Sequence, residues 1–213
     1  MAKAPFGMLC ADALSERTLK GALSALQPGP IRYRRNHVIA CEGDSADYVF
    51  LVVGGVIRSC KTFTNGERAV VAFYLTGDLL GCGDEARPLS FEAAADAVVM
   101  LIKRPALMRL AASNARLSGF LRTRIGGELN RAQEHATTMS MSAKDRFLTF
   151  LEAWLKRSGS PDTVRIPMGY QDIADHLGIK IETLSRTITE LGRSGPLTRS
   201  SSRRMLRLHR PLQ

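Results

Sequence analysis

Four side chains near the C-terminus carry the clearest chemistry in this chain. Glu182, Ser185, Arg186 and Thr189 recur at i, i+3, i+4 and i+7, which places them on one face of a helix. Arg can donate two hydrogen bonds to guanine, Glu can accept from the cytosine amine, and Ser or Thr can meet either partner or a thymine methyl. The set is that of a helix reading base edges. The competing reading is a solvated helix face on which Glu182 and Arg186 pair only with each other.

Other chemistries find no support in the residue pattern. The histidines His37, His135, His176 and His209 have no mutual metal-ligand spacing, and Cys10, Cys41, Cys60 and Cys82 stand 31, 19 and 22 residues apart. No G-x-S-x-G and no G-x-x-x-x-G-K occurs. The expectation is therefore no catalytic residue, no metal and no cofactor: not an enzyme.

The elements that must position the reading face follow from period and punctuation. On the opposite side of that helix, Leu184, Ile188 and Leu191 form an apolar stripe. Upstream, Ala174 is small where two helices cross, and Gly178 supplies a turn four residues later. This is the spacing of a helix-turn-helix, whose second helix enters the major groove. Around it, Lys180, Thr183, His176 and Arg193 are candidate DNA contacts. Arg203 and Arg204 are further candidates, in an expected wing hairpin over 197–208. Charge agrees. The 213-residue chain carries +10, and residues 140–213 hold 13 basic and 7 acidic side chains against 17 and 13 in residues 1–139.

Farther upstream, Ser113 to Met139 shows three-to-four spacing of Leu117, Leu121, Ile125, Leu129, Ala132, Ala136 and Met139. A long helix with a narrow apolar stripe implies a partner helix, and we read it as the two-chain dimerisation element. The other possibility is that it packs on its own chain. Residues 31–104 read as short strands broken by Gly43-Asp44, Gly54-Gly55, Asn65-Gly66 and Gly77-Asp78, the pattern of a barrel or sandwich. Asn65-Gly66 suggests a two-residue hairpin with both residues at positive φ. A short helix is expected over 13–26, and Ser142 with Asp145 is expected to start a helix after a hinge at 137–142. The expected division is 1–112 for the β-roll, 113–139 for the dimer helix and 140–213 for the DNA-binding part. With 45% apolar and 23% charged residues, wholesale disorder is excluded. No apolar run reaches the roughly 20 residues of a membrane helix, and no secretory stretch opens the chain, so a cytoplasmic protein without membrane contact is expected.

Along nearly its whole length the chain resembles the Crp/Fnr superfamily of bacterial transcription regulators. The resemblance lies in Glu42-Gly43-Asp44 with Asp47-Tyr48-Val49-Phe50, in Gly54-Gly55-Val56-Ile57-Arg58, and in Leu75-x-Gly77-Asp78-Leu79-Leu80-Gly81. The long helix and residues 173–187 complete it, and the last segment is similar to the FixK-like branch. The resemblance implies an α+β fold: a cyclic-nucleotide-binding-like β-roll, a long dimerisation helix and a C-terminal winged helix-turn-helix. It implies a homodimer on double-stranded DNA, with Glu-x-x-Ser-Arg reading TTGAT in a TTGAT…ATCAA palindrome. It also implies contact of residues 62–67 with RNA polymerase, hence an activator by analogy. Nucleotide-binding members carry Gly-Glu and Arg-Ser-Ala, whereas here Cys82 follows Gly81 and Pro88-Leu89-Ser90 stands in the second place, so cyclic AMP is not expected. Arg87, next door, is expected to point elsewhere. Lys180 replaces the usual Ser or Thr cap. An alternative within the same architecture is a haem- or thiol-dependent redox or nitric-oxide sensor, with His37, Cys41 or Cys82 as ligands.

Overall fold

The computed structural model describes residues 29–83, 86–199 and 205–209. The helix expected over 13–26, Cys10, Arg203 and Arg204 lie outside the described residues.

Eight short strands build the first half. Strands β1 (Pro30–Tyr33), β8 (Ala97–Lys103), β3 (Tyr48–Gly54) and β6 (Leu79–Leu80) form one antiparallel sheet in the order β1-β8-β3-β6. The other has the order β2-β7-β4-β5, from β2 (Val38–Ala40), β7 (Ser90–Ala93), β4 (Val56–Thr62) and β5 (Arg68–Leu75). Their inner faces share Phe50, Val52, Ile57, Tyr74, Leu80, Phe91 and Val99.

The outer faces are covered as well, which is why the strands read as continuous apolar runs. In β3, Phe50 and Val52 point inward while the alternate Val49 and Leu51 point out. Helix α1 (Arg104–Ala112) and the first turns of α2 (Ala115–Thr138) cover that outer face with Leu107, Leu117, Phe120 and Leu121. Helix α1 was not anticipated; Pro105 at its first turn, where a missing N–H costs nothing, was the available signal. The side chain of Asn114 caps α2 by accepting from the Leu117 N–H at 3.1 Å.

The β4–β5 connection differs from the expected two-residue turn. Gly66 has φ +82° and donates to the Phe63 carbonyl at 2.9 Å, but Asn65 is not at positive φ. Instead the Asn65 side chain accepts from the Glu67 N–H at 3.0 Å. A longer loop with one left-handed glycine thus does the work, because Asn side chains satisfy turn backbone locally.

The C-terminal part comprises α3 (Ala143–Ser158), β9 (Thr163–Arg165), α4 (Tyr170–Leu177), α5 (Ile181–Arg193), β10 (Leu197–Arg199) and β11 (Met205–Leu208). Strands β10, β11 and β9 form a three-stranded antiparallel sheet, the wing. Ser142 caps α3 by accepting from the Asp145 N–H, as expected. One apolar core joins this part to the outer face of the second roll sheet. Val56, Val70 and Phe73 meet Phe147, Phe150, Leu151 and Trp154, and the core continues to Ile173, Leu184 and Leu191. Among the described residues, no helix is long and apolar enough to cross a membrane.

Candidate nucleic-acid interface

Helix α4 buries Ile173, Ala174 and Leu177 and ends at Gly178. Gly178 has φ +62°, a conformation that L side chains rarely adopt, and its N–H returns to the Ala174 carbonyl. The chain then turns into α5. Lys180 stands at its N-cap with no side-chain hydrogen bond to the helix and is exposed. Leu184, Ile188 and Leu191 are at most 1% exposed, so the inward face of α5 is fixed by the core.

The outward face carries Glu182, Ser185, Arg186 and Thr189, all exposed. Among the described residues neither Glu182 nor Arg186 has an ion-pair partner, so the internal pair of the competing reading does not form. The Thr189 hydroxyl donates to the Ser185 carbonyl at 2.9 Å. Ser185, Arg186, Thr189, Glu190, Arg193 and Ser194 line a shallow open groove. Thr183 is half-buried, and its carbonyl accepts from the Thr187 hydroxyl.

His176 does not belong to this surface. Its ring stacks on His135 of α2 with centroids 4.1 Å apart, and its Nδ1 lies 3.0 Å from the Val70 carbonyl of β5. Burial first, then the nearby His135, pushes its pKa down to about 4. A neutral imidazole facing the roll is a packing group rather than a phosphate contact. The expectation failed because α4 is amphipathic toward the roll, a partner invisible to local spacing. Arg146 was also missed: its guanidinium donates to the carbonyls of Met139, Met141 and Leu177, strapping the hinge to the end of α4. No sequence spacing announces such a strap.

Comparison with known proteins decides the family. Residues 30–114 match a cyclic nucleotide-binding domain, and residues 146–212 a Crp-like helix-turn-helix domain. The nitrogen fixation regulation protein FixK of Azorhizobium caulinodans is 38% identical, over 83% of this chain and 74% of that protein. The transcriptional activatory protein AadR of Rhodopseudomonas palustris is 34% identical, over 76% of this chain and 71% of that protein. The solved structure of FixK2 from Bradyrhizobium japonicum superposes with a TM-score of 0.81 at 33% identity, covering 87% of this chain and 94% of that one. The chain belongs to the FixK-like branch of the Crp/Fnr superfamily. It is a DNA-binding transcription regulator, and its family is not one of enzymes.

In this FixK-like chain the apolar stripe of α2 divides. Leu117 and Leu121 are 0% and 6% exposed within the chain's own core, so they are not available to a partner helix. Ile125 and Leu129 are 49% and 58% exposed, and Ala132 is exposed one turn on. Met139 is half-buried, with its sulfur close to Gly178. The first turns of α2 pack their apolar side chains on the roll. Farther along, Tyr74 of β5 donates to Glu128 at 2.6 Å and holds the helix side on.

Arg87 also departs from expectation. The FixK-like roll draws its guanidinium inward, where it donates to the Tyr48 carbonyl at 2.6 Å and lies 4.6 Å from the Phe50 ring centre. It fills the space above Gly81, where an added Cβ would fall 2.3 Å from Nη1. Nη1 has no hydrogen-bond partner among the described residues. The turn at Pro88 breaks the strand alternation that had pointed Arg87 elsewhere. The guanidinium thus lies inside the roll beside Gly81 rather than turned away from it. Burial raises the Cys82 thiol to about 11, while His37 and Cys41 are exposed. No group of three or more His, Cys, Asp or Glu among the described residues can hold a metal ion.

Proposed function

We propose that two copies pair through the exposed part of α2 and bind a TTGAT…ATCAA palindrome, activating transcription without cyclic AMP. In this reading Arg186 donates to the guanine of TTGAT and Glu182 accepts from the cytosine opposite it or its neighbour. Ser185 and Thr189 meet flanking bases, while Lys180, Thr183, Arg193, Arg203 and Arg204 serve the phosphate backbone. The observation carrying the reading is the exposed, unpaired Glu182–Arg186 face on a helix whose other face is locked in the core. Ile125, Leu129 and Ala132 supply the two-fold contact, with the roll before residue 113 and the reader after residue 139. Two-fold pairing sets reading helices about 34 Å apart, one turn of DNA.

Activation is supported by the name of the AadR relative. It is also supported by Phe63, 49% exposed on the loop that the resemblance assigns to RNA polymerase. The test is a titration of wild-type and Arg186→Ala proteins on operator and scrambled duplexes. A base reader loses roughly 1–3 kcal/mol on the operator alone, whereas equal losses on both DNAs make Arg186 a phosphate clamp and remove the TTGAT assignment. Calorimetry with cyclic AMP tests the remaining clause: saturable micromolar binding coupled to operator affinity overturns it.

A further inference from the structure

Helix α5 packs mainly on α3, α4 and β10, so its orientation toward the roll is inherited from α3 and α4. The surface joining those helices to the roll is largely apolar, and apolar contact is non-directional. Something else must choose one register.

At the centre of that surface lies a cluster of buried charges. Arg58 of β4 and Asp172 of α4 are each 3% exposed. Arg58 Nη1 donates to Asp172 Oδ1 at 2.7 Å, and its Nε and Nη2 donate to Glu92 of β7 at 2.9 and 2.5 Å. Arg68 of β5 donates to the same Asp172 oxygen at 2.8 Å and to Asp175 at 2.6 Å. The other Asp172 oxygen accepts from the Gly169 N–H at 3.3 Å, capping α4. One carboxylate thus both starts the first reader helix and ties it to two strands of the roll. A second anchor stands on α3, where Arg157 donates to Asp78 at 2.5 Å and to the Phe73 carbonyl at 3.0 Å.

Taking ions out of water costs several kcal/mol each, and only well-formed geometry offsets it. A sliding or rotation of α4 on β4 and β5 that the apolar surface tolerates would leave these charges unpaired. We propose that the Arg58–Asp172–Arg68 cluster, with Arg157–Asp78, is a positioning clamp that orients the reading helix relative to the roll and so sets the half-site spacing a dimer accepts. The spacing clause rests on the palindrome reading above; the clamp itself does not.

Two variants probe it. Asp172→Asn keeps an acceptor for Gly169 while removing the charge, and Arg68→Met removes an arm that is 27% exposed and safer for folding. Each is titrated on labelled duplexes carrying one half-site, the palindrome, or palindromes changed in spacing by one base pair. The expected result is half-site affinity within about twofold of wild type and a spacing preference reduced about tenfold, the size usual for coupled sites. Amide hydrogen exchange of the free proteins should rise on α4 and β5 while β3 and α5 stay protected. Parallel loss on half-site and palindrome, unchanged spacing preference, or a uniform rise in exchange overturns the clamp and leaves the cluster a stabilising contact. A wild-type protein indifferent to spacing defeats the palindrome reading instead. Exchange then decides the clamp alone: a rise confined to α4 and β5 supports it, and no change removes it.

Discussion

Arg58 and Arg186 are the same residue type put to opposite uses. Arg58 is 3% exposed and has three acceptors within the chain, while Arg186 is exposed and has no ion-pair partner among the described residues. Arg157 and Arg193 repeat the contrast on α3 and α5. A guanidinium whose donors are already used has little left for a phosphate or a base; one left in water with its donors unmet binds an anion at little reorganisation cost. A count of basic residues therefore overstates the reading surface: Arg58, Arg68 and Arg157 are spent inside the fold against Glu92, Asp172, Asp175 and Asp78, while the net excess lies elsewhere.

The contrast can be broken most sharply at Arg58. Arg58→Ala should lower the unfolding free energy by about 3–5 kcal/mol, the usual result of breaking a buried pair, measured by urea melts. A loss below about 1 kcal/mol would class it with surface pairs and dissolve the distinction. The same contrast runs along α2, where Leu121 is buried and Ile125 is not. Ile125→Glu should give monomers by sedimentation and weaken the palindrome by about a hundredfold or more, as linked readers lose avidity, with little change in stability. A variant that stays dimeric would place the pairing surface elsewhere.

The histidine pair tests the interior side by pH. Burial holds both His135 and His176 below the ordinary 6.5, so the unfolded chain takes up protons first as pH falls. The His176 contribution is therefore complete above about 6.5 and is lost as pH drops from there toward about 4, and His135 acts in the same direction. Each group contributes a slope of at most about 1.4 kcal/mol per pH unit. Urea midpoints at about pH 7 and about pH 5 should converge in His176→Gln relative to wild type; equal slopes in the two proteins would show that the ring is not charged on unfolding. The smallest effect belongs to Arg193, proposed on the phosphate side. Arg193→Ala should weaken operator and scrambled DNA alike and lower the salt slope by about one unit.

Legibility followed locality. The helix-turn-helix was readable because Ala174, Gly178, Leu184, Ile188 and Leu191 answer to one another within a few turns, and so was the cap Ser142. His176 and Arg87 were misread because each is claimed by a residue distant in sequence, Val70 and Tyr48 respectively, and Leu117 because it joins the buried cluster of Val49 and Leu51. Arg58 and Asp172, 114 positions apart, gave no sign of each other.

Taken alone, the sequence determined the periods, turns and caps that select strands, long helix and reader, and which face of α5 meets water. Those depend on residues a few positions apart, whose geometry the backbone dictates. Only the tertiary structure decided which arginines remain free, where the stripe of α2 passes from core to surface, and that a single buried carboxylate joins reader to roll. Each depends on what lies across an interface, and burial, desolvation and pairing are properties of that meeting rather than of either segment.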